Sequence, residues 1–156
     1  MGPEVKAVAD SGPIIHLREI GALKALGIFK IIIPPAVNEE IRGRPPKAAV
    51  NAGFDNNLAQ ILQNEFELAL AESQCIALAK AQSIRLFLTD GLDARTTAKE
   101  MGLEPHGTVG ILLKAYRKRV FSKKETIELV KKLKTHSTRY ITSDITNYTV
   151  EEIMKT

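Results

Sequence analysis

The chain is short of the groups that staple, tether or export a protein. One cysteine, Cys75, stands among 156 residues, which excludes an internal disulfide framework and suits a reducing compartment. No apolar run approaches the ~20 residues needed to cross a bilayer. Residues 1–10 lack a basic start followed by a long apolar stretch, so no secretion signal is expected. The expected location is the cytoplasm, with no membrane partner. Neither a GxGxxG nor a P-loop follows any apolar run, leaving a nucleotide cofactor unsupported. His16, His106 and His136 share no metal-ligand spacing and read as structural or surface groups. Repeats, low-complexity segments and linkers are also missing, so residues 1–156 read as one domain.

The material that is present is ordinary for a folded protein. A hydrophobic share of 44% and a charged share of 26% are enough to build a core and a solvated surface at this length. Net charge is +4, which permits a polyanionic partner without requiring one. The cations cluster in "KAYRKRVFSKK" and "ELVKKLKTHSTR", between Lys114 and Arg139. A solvated helix face is the plain explanation of such a run.

Along the chain, short apolar segments alternate with helical ones. Val5–Ala9 has no helical period and reads as a buried strand ending at Asp10. Ser11 and Pro13 suit a helix start, Gly21 interrupts the helix and Gly27 stops it. "IFKIIIPP" is a second buried strand, and Pro34 or Pro35 opens the helix "AVNEEIRG", which stops at Gly43. "RPPKAAVNAGF" reads as a loop with or without a short helix, and "DNNLAQILQNEF" as a helix. The clearest helix is "ELALAESQCIALAKAQS", with Cys75 on its apolar side. "IRLFLTD" is a third strand, and "GLDARTTAKEMG" a helix stopped by Gly102. "LEPHG" is a connection or edge strand, and "TVGILLKAYRKR" another helix. "SKKETIELVKKLKT" begins on a capping box, Ser122 with Glu125, and "SDITNYTVEEIMK" closes the chain as a last helix. Continuous apolar strands separated by helices call for a parallel sheet covered on both faces, a doubly wound α/β domain.

In such sheets ligands bind beyond the carboxyl ends of the strands, where strand order reverses. "AVAD" and "FLTD" both end there, so Asp10 and Asp90 share a rim if their strands are neighbours. Glu40, in the helix after strand two, and Glu72, early in the helix before strand three, are compatible with the same edge. Carboxylates gathered in one cleft repel one another, and a divalent cation relieves that repulsion. Oxygen ligands without a Cys or His cluster select Mg²⁺ or Mn²⁺ over Zn²⁺. Two such ions, roughly 4 Å apart, can clamp the attacking and leaving oxygens of a phosphodiester displacement. Each acid also has a plainer reading. Asp10 can cap the following helix, Glu40 and Glu39 can be solvated, Glu72 can answer the helix dipole, and Asp90 can be a turn residue before Gly91.

The segments "VADSGPIIHLREIGALKALG", "IIIPPAVNEEI" and "AESQCIALAKAQSIRLFLTDGLDARTTAKEMGLEPHGTVGILLKAYRKR", about residues 5–119, resemble the PIN domain family. These are metal-dependent ribonucleases that include the VapC toxins. "LTDGLDARTTAKEMGL" and "HGTVGILLKA" are specific in combination, and the helices from about residue 122 fit a small, largely prokaryotic PIN subfamily. The resemblance implies a three-layer α/β/α fold with a mostly parallel five-stranded sheet. It implies Mg²⁺ or Mn²⁺, single-stranded RNA as substrate, a homodimer, and a small antitoxin partner. Carried over by position, it makes Asp10, Glu40, Glu72 and Asp90 the metal-holding catalytic acids, supported by Ser11 and Thr89. Two departures stand out. Ala71 replaces a usual Gly, and Gly91 occupies the place where many relatives carry a second adjacent acid. Asp93, in the first turn of the next helix, is the other candidate for the fourth acid.

Three functions follow from this reading. The first is a metal-dependent endoribonuclease of the toxin type, in which Lys and Arg residues hold the RNA. The second is a PIN fold kept as an RNA-binding or protein-interaction module, which Gly91 keeps open. The third, a phosphatase with Asp10 as nucleophile, ranks low because "DSG" lacks a second acid two residues on. Arg95, near Asp90, reads as a phosphate contact or an ion-pair partner.

Overall fold

Ala7, Val8 and Ala9 carry no exposed surface at all, as a strand flanked on both faces requires. In the computed structural model, which describes residues 5–137 and 142–156, they belong to β1 (Val5–Ala9) at the centre of a parallel sheet. Arg139, at the end of the cationic stretch, lies outside the described residues. The other strands are β2 (Phe29–Ile33), β3 (Ala49–Val50), β4 (Leu86–Leu88) and β5 (Glu104–His106). Their order is β3-β2-β1-β4-β5, with every adjacent pair parallel. β1 pairs with β2 through Val5↔Phe29 to Val8↔Ile32, and with β4 through Ala7↔Leu86 to Ala9↔Leu88. The five-stranded α/β architecture implied by the sequence is present.

The helices are α1 (Ser11–Glu19), α2 (Pro35–Glu40), α3 (Asn56–Glu65), α4 (Leu70–Ala81), α5 (Leu92–Glu100), α6 (Thr108–Arg117), α7 (Lys123–His136) and α8 (Ser143–Met154). Right-handed crossovers put α1, which leads from β1 to β2, on one face. The same rule puts α4 and α5, which serve moves in the opposite direction, on the other. The packing agrees. α4 lies against β1 and β4 beside α3 and α5, while α6 joins α1 and α7, with α8 on α7.

Three boundaries differ from the sequence reading, each for a local reason. α1 ends at Glu19, and Leu23–Ile28 forms a 3₁₀ segment after Gly21, whose φ of +71° favours glycine. α2 closes at Glu40 because Ile41 turns extended, ahead of Gly43. The loop around residues 44–54 contributes β3, too short and too exposed to show an apolar pattern. The capping box at α7 is formed, with Ser122 Oγ accepting from Glu125 N and Glu125 Oε1 accepting from Ser122 N. "LEPHG" proves to be an edge strand, where Pro105 is tolerated.

This topology positions the site. Strand order reverses between β1 and β4, so a crevice opens beyond their carboxyl ends. Asp10 follows β1 and Asp90 closely follows β4. α4 runs back toward the start of β4, which leaves its first turn, with Glu72, at the same rim. α2 rises directly off the end of β2 and presents Glu40 there.

Candidate active site

Asp10 is the N-cap of α1. Its Oδ1 accepts from Ser11 N at 2.8 Å, and its Oδ2 accepts from Thr89 Oγ1 at 3.2 Å. A cap therefore accounts for one oxygen only. Thr89, fully buried at the end of β4, reaches across the β1–β4 seam to the other. Ser11 links a second acid, since its Oγ donates to Glu40 Oε2 at 2.5 Å. Glu72 Oε1 accepts from Ala69 N at 3.1 Å, closing the start of α4. Gln74 Oε1 accepts from Ala36 N at 3.0 Å and fixes α2 to α4.

These elements enclose a pocket of about 570 Å³ whose lining includes Asp10, Glu40, Glu72 and Asp90. Asp10 is only 8% exposed, so little water screens its charge. Burial pushes its carboxyl up from the ordinary 3.8 to about 6; Glu72 and Glu40 push the same way, against the hydrogen bonds from Ser11 and Thr89. The field of the three acids reaches the core. Burial pushes the Cys75 thiol up, and Asp10, Glu40 and Glu72 add to it. Cys75 lies fully buried, its Sγ 3.6 Å from Ala9 O, in the core position expected of it.

Asp90 lines the same pocket and is tied to α6 and α1. Its Oδ1 accepts from Thr108 N at 2.8 Å, and its Oδ2 accepts from Thr108 Oγ1 at 2.5 Å and lies 2.7 Å from His16 Nδ1. Gly107 makes this possible, because a Cβ there would stand 2.9 Å from Asp90 Oδ1. Asp93 is exposed on α5 and outside the pocket lining. Residues two apart on a helix do not share a face, so the first turn of α5 cannot turn Asp93 to where Gly91 stands. Position 91 itself does point inward, since a Cβ on Gly91 would come within 2.5 Å of Glu72 Oε2. The pocket thus brings Asp10, Glu40, Glu72 and Asp90 into one lining, with Asp90 also bonded to Thr108 and near His16.

A family model described as DUF3368, a PIN domain, matches residues 6–155. The chain belongs to the PIN domain family. No curated protein and no solved structure matches it significantly. The PIN domain is a nuclease-type fold, and its members are in general nucleases that act on RNA with the help of divalent metals. The residues of this PIN domain fit such a cation in their chemistry, since Asp10, Glu40 and Glu72 offer oxygen donors alone. Among the described residues, no three of His, Cys, Asp or Glu already stand close enough to hold a metal ion. Among the described residues, no helix is long and apolar enough to cross a membrane.

Two residues escaped the sequence reading, His16 and Thr108. His16 read as a structural or surface histidine. Its one usable signal was position, six residues after Asp10 on the helix that leaves the strand. Thr108 carried none beyond following Gly107 at a helix start.

Proposed function

We propose that this PIN domain is a metal-dependent endoribonuclease that cleaves phosphodiesters in single-stranded RNA. The observation that carries the reading is the meeting of Asp10, Glu40 and Glu72, from three distant segments, in one pocket. Asp10 is buried, while Glu72 is half-buried and Glu40 exposed at the pocket rim. A buried carboxylate facing two like charges is one that a cation relieves. Asp10, Glu40 and Glu72 would hold Mg²⁺ or Mn²⁺, which supplies positive charge opposite the charge that develops on a phosphodiester. Ser11 and Thr89 orient the carboxylates by donating to Glu40 and Asp10. Lys114, Arg117 and Lys118 line a separate groove of about 450 Å³ along α6 with His106. Such cations suit RNA phosphates beyond the pocket itself.

Cleavage of a single-stranded RNA in Mn²⁺ tests this. Asp10→Asn should lower it by about a hundredfold or more, beyond the cost of altering an outer-shell group. Cleavage by that variant at the full rate would refute the assignment. The VapC resemblance points to a toxin as the cellular setting, with a homodimer and a small antitoxin as partners. Growth arrest on expression, relieved by a small co-expressed neighbour protein, is the expected result.

Gly91 favours a second reading. Position 91, where a Cβ would face Glu72, brings no acid, which suits a module that binds RNA or protein without cutting. Metal titration separates the two readings. A nuclease gains thermal stability from Mn²⁺ through Asp10, and an inert module does not.

A further inference from the structure

The ribonuclease reading leaves one well-built feature unused, the chain Thr108–Asp90–His16. Thr108 gives Asp90 two hydrogen bonds, one from its amide and one from its hydroxyl. The carboxylate then meets His16 Nδ1 at 2.7 Å. A carboxylate in this setting accepts, so Nδ1 carries a proton toward Asp90 and the ring is fixed in orientation. Nε2 is then the polar atom the ring offers elsewhere.

His16 lines the same pocket as the three acids, and its side chain is 15% exposed. No other hydrogen bond engages the ring among the described residues. Gly12, one turn earlier on α1, leaves the ring edge uncovered; a Cβ there would sit 3.7 Å from His16 Cε1. A mere tie between α1 and α6 needs no imidazole at the wall of a charged pocket. Asp90 is itself pinned by two bonds from Thr108, so the ring can swing only by giving up its bond to a fixed partner.

Resting on the ribonuclease reading, we propose that His16 contacts the ribose–phosphate unit of the substrate through Nε2, with Asp90 and Thr108 as the positioning residues that fix its ring. A ribose 2′-hydroxyl and a phosphate oxygen both offer the hydrogen bond this needs, and only RNA carries the first.

The test is fluorescence anisotropy with a labelled single-stranded RNA and the DNA of the same sequence, in chelator, followed by cleavage in Mn²⁺. His16→Ala should weaken RNA binding about tenfold, as expected for one good hydrogen bond. His16→Gln, which restores a polar group, should recover part of that loss. Asp90→Asn should weaken binding too, and add nothing in the His16→Ala background, since both act through one ring. Mn²⁺ affinity of His16→Ala by calorimetry should change less than about twofold. In cleavage KM should rise about tenfold and kcat fall by less than about threefold.

A loss confined to RNA assigns the contact to the ribose hydroxyl, and an equal loss with DNA assigns it to phosphate; both support the proposal. Wild-type binding by both His16 variants overturns it. So do losses that add between His16→Ala and Asp90→Asn, or a parallel fall in Mn²⁺ affinity, which would mark His16 as scaffolding for the acids. A wild type that neither binds nor cleaves RNA sinks the ribonuclease reading itself. A wild type that does both beside an unimpaired His16→Ala sinks only the role of His16.

Discussion

Replacing Asp10 by Asn should stabilise the metal-free protein. In the fold the Asp10 carboxyl titrates near 6, against an ordinary 3.8, because it is buried and faces Glu72 and Glu40. Below pH 3.8 the group is neutral folded or unfolded, and that end of the range holds its full share of stability. As pH rises through 6, the folded state must carry a charge that the unfolded chain carries more easily. By pH 7 the loss comes to about 3 kcal/mol. Asn removes the charge while keeping an oxygen for Ser11 N, and it caps helices about as well as Asp. Its amide can donate to Thr89 Oγ1 in place of the bond it loses. The expected net gain is about 2–3 kcal/mol at pH 7, or roughly 5–10 °C in Tm for a chain of this length.

Thermal melts in chelator at pH 4, 5, 6 and 7 provide the assay. The gap between variant and wild type should be near zero at pH 4 and open as pH rises. Saturating Mn²⁺ should close or reverse it, since a ligand at a hundred times its Kd adds about 2.7 kcal/mol to the wild type alone. A variant that melts lower than wild type at pH 7 without metal would show that the Asp10 charge is welcome in the fold. The helix cap would then be its whole role, and the case for a crowded acid pocket would fail.

Further outcomes follow from neighbouring positions. Gly91→Asp should set a new carboxylate beside Glu72 Oε2, lowering Tm in chelator by a few degrees and tightening Mn²⁺ binding in calorimetry; no change in either would place residue 91 outside the pocket. Gly107→Ala should press its Cβ on Asp90 Oδ1 and destabilise the protein by about 1–3 kcal/mol, as overpacking does, measurable by urea unfolding. Ser122→Ala should cost about 1 kcal/mol in the same assay through loss of the α7 cap, with no effect on Mn²⁺ affinity. Cys75, buried with its thiol pushed up, should resist thiol reagents in the native protein and react on unfolding.

The sequence alone determined the local elements and the types of residue at their ends. β1, β2 and β4 were legible because a strand covered on both faces needs unbroken apolar runs. α7 was legible because a capping box is a local device. β3 escaped because two exposed residues carry no pattern, and the ends of α1 and α2 were set by turns that packing chose. That Asp10 and Asp90 lie at one rim depended on β1 pairing with β4, segments about 80 residues apart, and no local preference decides such a pairing. The tertiary structure alone decided what each acid does there. It brought Asp10, Glu40 and Glu72 together, turned Asp93 to the surface, and tied Asp90 to Thr108 and His16. The reason is physical. A side chain's type fixes which bonds it can make, but which partner lies within about 3 Å is set by crossover handedness and helix packing across the whole sheet.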